Sequence, residues 1–339
     1  MSKIKSSVLK NIASMKNTFN NEKAQSSNGA RAIIINVDDL GLSSAVNEAV
    51  IKLAEHGRIG ASSYMTGGQI TAAEIRTLAD LNVDIGLHFD LTGIFPSDLQ
   101  GSLRSLVITS YLRRLDSSQV TDIINRQLDG FEDIFGHAPV FIDGHQHIHQ
   151  FPIIRQSLVK ALNARYADGS KNPICARVTL PLVNDLKSWI IYSLGGRAWR
   201  KLCVENSIAT NHYFGGVYGF DANFQKLAAL WESWLTNAPR TNHLLPAMHS
   251  LPIDIESLGT YAQYGSTTPA IHSVPNALPS NLSPTLIMCH PAVPAANWQD
   301  DIKAAREREF EWLMSRQFEQ LLQEYEVRLV RWSDITNNK

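Results

Sequence analysis

Over most of its 339 residues the chain alternates short apolar runs with longer stretches of helical periodicity, and that alternation restricts the fold more than any other feature. The runs predict strands near 32–37, 60–66, 83–89, 139–143, 175–179, 285–289 and 326–331. The helical patterns fall at 44–56, 71–80, 118–135, 152–166, 184–205, 223–236 and 301–324, the third opening at Ser117/Ser118 and ending at Gly136. Strands joined through helices pair in parallel, because each crossover returns the chain to the same end of the sheet. The expected class is α/β: an irregular or incomplete (β/α) TIM-like barrel. A dinucleotide-binding fold fits less well, since DDLG rather than GxGxxG follows the first strand. Barrels collect their chemistry at the C-terminal ends of the strands, so the residues that end each run are the candidates.

Those ends are polar in a consistent way. The first run closes on Asp38-Asp39, the third carries His88, the fourth leads into Asp143, His145, His147 and His149, and "TLIMCHPA" ends at His290-Pro291. A carboxylate with two imidazoles is an ordinary divalent-metal donor set that leaves positions for water and substrate. Each piece also has a plainer reading. Asp38-Asp39 before Gly41 and Ser43 reads in isolation as a turn and helix cap. A lone His88 reads as a core histidine, and His290 as the end of a strand. In an extended chain His145, His147 and His149 would share one face, with chance clustering as the alternative. His249 in "MHS" is a decoy of similar look, and His212, His243 and His272 read as ordinary polar residues.

Composition bounds the rest. A chain with 44% hydrophobic and 19% charged residues can bury a sizeable core, and a formal net charge of -1 gives no global attraction to nucleic acid or anionic lipid. Cys175, Cys203 and Cys289 are widely separated, without CxxC spacing, and read as reduced buried thiols of a cytoplasmic protein. Residues 1–30 read as a polar, poorly ordered tail with no signal-peptide core. Residues 31–339 read as a single barrel domain with an irregular excursion at about 243–284. No segment reaches the roughly 18 uninterrupted apolar residues of a membrane span.

The blocks "NVDDLGLSSAVNEAV", "GASSYMTGG", "IGLHFDLTG", "PVFIDGHQHIHQFPII", "NHYFGGVYGF", "LIMCHPA" and "REREFEWLMS…VRLVRWSDI" together resemble the YdjC-like family of carbohydrate deacetylases, in order, from about 31 to 335. The resemblance implies an incomplete (β/α) barrel that removes N-acetyl groups from amino sugars with a divalent cation, Mg2+ by the family pattern and Zn2+ as the alternative. It implies Asp39, His88 and His145 as metal ligands, Asp38 as general base and His290 as the group near the leaving amine. Leu40 and Ala292 depart from the family's usual Phe and Gly.

Amide hydrolysis needs an activated water, a polarised carbonyl and a proton for the departing amine. Asp38 beside the ligand Asp39 suits the first need; His290 or His147 suits the last, and Asp143 is placed to orient a ligand imidazole. Tyr64, Phe89, Phe214, Tyr218 and Trp298 lie near motif segments and could pack on a sugar ring, "HYFGGVYGF" being the best placed because its glycines let backbone approach a ligand. Trp189, Trp199, Trp231 and Trp234 fall at helical spacing and read as packing residues. The expected partner is an N-acetylated sugar or oligosaccharide, with a homodimer left open. Two readings compete. One is a metal-dependent phosphoesterase or amidohydrolase, for which the motif ends lack the expected Lys and Arg. The other is a non-catalytic sugar-binding relative.

Overall fold

In the computed structural model, which describes residues 29–168, 173–240, 283–296 and 298–336, every strand pairing is parallel. The strands are β1 (Arg31–Leu40), β2 (Ala61–Tyr64), β3 (Asp84–Phe89), β4 (Phe141–Gly144), β5 (Cys175–Ala176), β6 (Phe214–Gly215), β7 (Thr285–Cys289) and β8 (Val327–Leu329). Around the sheet the order is β5-β4-β3-β2-β1-β7-β6, with β8 beside the start of β1. β1 is the hub: Ile33–Val37 pairs with β7, while β8 and then β2 follow one another along its other edge. Among the described residues the ring closes irregularly, through two isolated bridges, Ala176 to Thr210 and Pro181 to Phe214, where other barrels have a ladder. The protein is therefore an irregular, incomplete (β/α) barrel, as the alternation of runs predicted.

Period-two alternation decides what faces where. Ala32 and Ile34 of β1 join Ala61, Phe141, Cys175, Phe214, Leu286 and Met288 in an inner cluster, closed by Trp332 stacked on Phe141 at 4.9 Å. Ile33, Ile35 and Val37 belong to the larger outer layer between sheet and helices. That layer is covered by helices that include α1 (Ser44–Glu55), α2 (Ala72–Asp80), α3 (Leu103–Tyr111), α4 (Ser117–Phe135) and α5 (Ile154–Tyr166). Further along come α6 (Leu186–Ile191), α7 (Arg197–Glu205), α8 (Phe224–Asn237), α9 (Lys303–Met314), α10 (Arg316–Glu324) and α11 (Ser333–Thr336). Trp189, Trp199, Trp231 and Trp234 are all buried core residues, as their spacing suggested, and the three cysteines are buried thiols.

Several expectations change. The helix expected over 184–205 breaks into α6 and α7 around a wide turn at 192–196, where Gly195 (φ 133) lets the chain press on the Gln150 carbonyl. The one expected over 301–324 breaks at Ser315, whose side chain caps α10 through Phe318 N–H. α4 is capped by Asp116 rather than by Ser117 or Ser118. α3 and the two-residue β6 were not predicted. Apart from 29–30 and 283–284, the expected tail and excursion lie outside the described residues, with His243, His249 and His272.

Of the glycines of "HYFGGVYGF", Gly216 is required by backbone packing. Gly216 holds φ 96, and a Cβ there would overlap the Met288 carbonyl of β7. Gly216→Ala is therefore expected to destabilise the fold by about 2 kcal/mol or more, through left-handed strain plus a collision with backbone. Gly57→Ala, at φ 62 with open space around it, should cost only the strain of about 1–2 kcal/mol. Urea unfolding of the two variants checks the difference.

Candidate metal and hydrolase site

The inward-facing positions change from apolar to polar at the C-terminal ends of the strands. Along β1 the inner parity runs Ala32, Ile34, Asn36, Asp38; β3 ends its inner face at His88, β4 at Asp143, and the chain leaving β5 at Arg177. These side chains form the top layer of the barrel.

Strict alternation would send Asp39 outward. It does not, because Asp39 adopts φ 68 and the β1–β2 register slips between Val37 and Leu40. A carboxylate-bearing residue tolerates this left-handed conformation better than a β-branched one. The irregularity brings two consecutive carboxylates into one pocket: Asp38 and Asp39 both line a cavity of about 380 Å³ with His88, His145, His147, Tyr218, Phe220, His290 and Arg306. Gly41, at φ 92 directly after, lies against the Tyr64 ring with no room for a side chain.

Around Asp39, His88 Nε2 lies 3.2 Å and His145 Nδ1 3.1 Å from the same oxygen, Oδ1. Its other oxygen accepts from Arg306 Nη2 at 2.7 Å. His88 Nδ1 donates to Asp143 Oδ1 at 2.6 Å, so its Nε2 is the ring nitrogen turned toward Asp39. Ligands about 2.0–2.2 Å from a common ion stand roughly 3 Å apart, which is the spacing of each imidazole nitrogen from Asp39 Oδ1, and the three residues offer ligand atoms within 4.8 Å of one another. The residues thus fit a divalent cation, and the Asp143 carboxylate behind His88 is the kind of partner that fixes a ligand imidazole.

Asp38 is held differently. Arg177 reaches it with two nitrogens at 2.6 and 2.7 Å and also pairs with Asp143, while Asn36 Nδ2 donates at 2.8 Å. Burial disfavours the Asp38 charge, but the Arg177 guanidinium outweighs it and holds the carboxyl well below the usual range. Burial likewise opposes ionisation of Asp39, and Arg306 with His145 overcomes it. His290 Nε2 stands across the pocket, 3.9 Å from Asp38 Oδ2.

The His145-to-His149 run departs from the expected single face. It is a tight 3-10 turn with Gln146 and His147 in left-handed conformations, so the three rings diverge. His145 turns to Asp39, His147 lines the pocket edge-on to Phe214, and His149 is buried behind, bonded to the Arg177 carbonyl at 3.1 Å. Burial, with Arg177 nearby, pushes the His147 imidazole down to about 3, leaving it neutral. Phe214 belongs to the inner core beneath Arg177, and Tyr64 and Phe89 belong to the outer layer; none of them lines the pocket, nor does Trp298. Tyr218 does.

Sequence reasoning missed Arg177, Arg306 and Glu309. The only signal for Arg177 was a charge interrupting the apolar run "CARVT", and for the other two an i,i+3 pair inside "REREF". Of the cations lining the pocket, Arg306 pairs with Asp39 and Asp300, and Lys187 Nζ donates to the Tyr218 carbonyl.

Three buried carboxylates, Asp38, Asp39 and Asp143, thus face two buried guanidiniums. The imbalance appears at His88: burial would lower its pKa, but Asp143, Asp39 and Asp38 raise it to about 10. A proton held up to about pH 10 in the fold, and released near pH 6.5 in the unfolded chain, stabilises fully below 6.5 and is lost as pH rises toward 10. In chelator, the unfolding free energy from urea titrations should therefore fall between pH 6.5 and 10, by up to about 1.4 kcal/mol per pH unit. His88→Gln should flatten that slope, which urea titrations at pH 6, 8 and 9.5 would read.

The comparisons agree with this architecture. A family model described as "YdjC-like protein" matches residues 32–324. The chitooligosaccharide deacetylase of Enterobacter sp. (strain 638) is 34% identical over 134 residues, 37% of this chain and 52% of that protein, so the chain spans about half the length of that curated relative. A crystal structure of a candidate cellobiose-phosphate cleavage protein from Enterococcus faecalis V583 superposes with a TM-score of 0.56 over 90% of this chain and 99% of that one. At 15% identity this is a likeness of fold alone. The family match takes in all the strands but β8, together with the whole polar layer that they carry, and on that ground the chain belongs to the YdjC-like family.

Proposed function

We propose that the protein is a metal-dependent hydrolase that removes N-acetyl groups from amino sugars. The observation that carries this reading is the convergence of His88 Nε2 and His145 Nδ1 on one oxygen of Asp39, beside a second, differently held carboxylate. The similarity to a chitooligosaccharide deacetylase supports the substrate class.

Asp39, His88 and His145 would hold the cation. When bound, it would polarise the acetyl oxygen and lower the pKa of a neighbouring water. Two imidazoles with one carboxylate suit Zn2+ or a similar borderline ion better than Mg2+, which prefers an all-oxygen set. Asp38 accepts the proton of the attacking water. Its tie to Arg177 keeps it ionised and fixes its direction, at the cost of basicity, so it depends on a water that is already acidified. His290, across the pocket, gives a proton to the departing nitrogen; His147, neutral at working pH, has none to spare. Arg306 keeps Asp39 to one free oxygen.

No helix among the described residues is long and apolar enough to cross a membrane.

Acetate release from N-acetylglucosamine oligomers tests the proposal. Chelation should abolish release and Zn2+ or Mn2+ should restore it. Asp38→Asn should lower kcat by about 10²–10⁴-fold while cation uptake stays intact. Undiminished hydrolysis in Asp38→Asn would sink this assignment of the base.

A further inference from the structure

Glu309 is buried on α9 and takes no part in the chemistry above. One carboxylate oxygen accepts the backbone N–H of His290 at 2.5 Å, and the other accepts the hydroxyl of Tyr218 at 2.5 Å. It thus joins two pocket-lining residues from different crossings of the sheet, one following β7 and one following β6. The tie extends through rings: Phe220 packs on Tyr218 at 5.0 Å and edge-on to His290 at 5.3 Å. The Tyr218 carbonyl receives Lys187 from α6, a further lining residue. One turn earlier on the same helix, Arg306 clamps Asp39 and Asp300.

A buried carboxylate normally has a cation beside it, because burial without one is costly. Among the described residues Glu309 is in no ion pair, and its bonds go to two neutral donors. A group retained at that cost, with both oxygens spent on holding active-site walls, is explained by geometry.

We propose that Glu309 is a positioning residue: it fixes His290 for proton donation and holds Tyr218 and Phe220 as the sugar-facing wall, so that helix α9 sets both halves of the pocket. This rests on the deacetylase reading for its catalytic meaning. A displacement of about 1 Å of a reacting group costs on the order of a hundredfold in rate.

The test compares Glu309→Leu, Glu309→Gln and Tyr218→Phe in the full chain, with Zn2+ loaded and N-acetylglucosamine oligomers as substrate. Glu309→Leu should lower kcat roughly a hundredfold with Zn2+ uptake unchanged. Glu309→Gln should recover to within about fivefold, since its amide oxygen accepts from His290 and its amide N–H reaches the Tyr218 oxygen. Tyr218→Phe should raise KM several-fold and move kcat little. Should the leucine variant not fold, Glu309→Ser repeats the comparison. Hydrogen exchange at the His290 amide gives a readout independent of turnover: slow in wild type and Glu309→Gln, at least about tenfold faster in Glu309→Leu. The proposal is overturned if Glu309→Leu keeps kcat within threefold, if glutamine is as damaging as leucine, or if His290 exchange does not respond. Absence of acetate release from wild type would count against the deacetylase reading, while the exchange measurement would still decide whether Glu309 positions His290.

Discussion

The site is organised around an uncompensated negative charge. Asp38, Asp39 and Asp143 are buried within a few ångströms of one another, and Arg177 and Arg306 cancel only part of their charge. In a medium of low effective dielectric that remainder cannot be left alone, so it draws a positive charge to His88. A proton and a divalent cation are alternative answers to the same demand, and Asp39, His88 and His145 are the residues that would hold the cation. The two arginines prevent the alternative outcome, in which one carboxyl of the adjacent pair simply protonates. They also make the pair unequal. Asp38 has both oxygens occupied by a guanidinium, whereas Asp39 has one oxygen occupied and one turned to two imidazoles. Adjacent residues of the same type thereby acquire different chemistry.

That inequality depends on backbone geometry. A regular strand presents consecutive side chains to opposite faces, and β1 does so through Val37. The left-handed Asp39 and the register slip beside it let residue 39 face the same way as residue 38. Such strain persists only where the surroundings hold it in place. Here Asp39 is bonded to Arg306 and Asn47 accepts the N–H of Gly41, just after the bulge.

Most of this architecture was legible in the sequence because it rests on period-two patterning. Runs such as "AIIINVDD" and "VFID" show apolar wall followed by charge, and the ends of parallel strands must converge. Asp38, Asp39, His88, His145 and His290 could therefore be placed around one pocket from spacing and motif together. What failed depended on local dihedrals or distant partners. "HQHIH" was read as extended, but two consecutive left-handed residues turn it into a tight coil that scatters its imidazoles. Nothing in "CARVT" says that the arginine will lie under Asp38, because that contact spans 139 positions of sequence. Phe214, an aromatic beside a motif, became barrel interior because its parity on β6 points inward.

Helix α9 shows how the fold converts these separate ends into one device. Among the described residues the seam between β5 and β6 is bridged at two isolated points, so the sheet holds the loop after β6 mainly through β7, which is itself laddered to β1. α9 supplies the missing constraint from outside the ring. Arg306 reaches Asp39 on β1, and Glu309, three residues on and therefore on the same helical face, reaches the segments after β6 and β7. An incomplete barrel loses, at its open seam, the hydrogen-bonded ladder that would fix the adjoining loops. A helix carrying one cationic and one anionic clamp on a single face restores that fixity at the two points where the chemistry requires it.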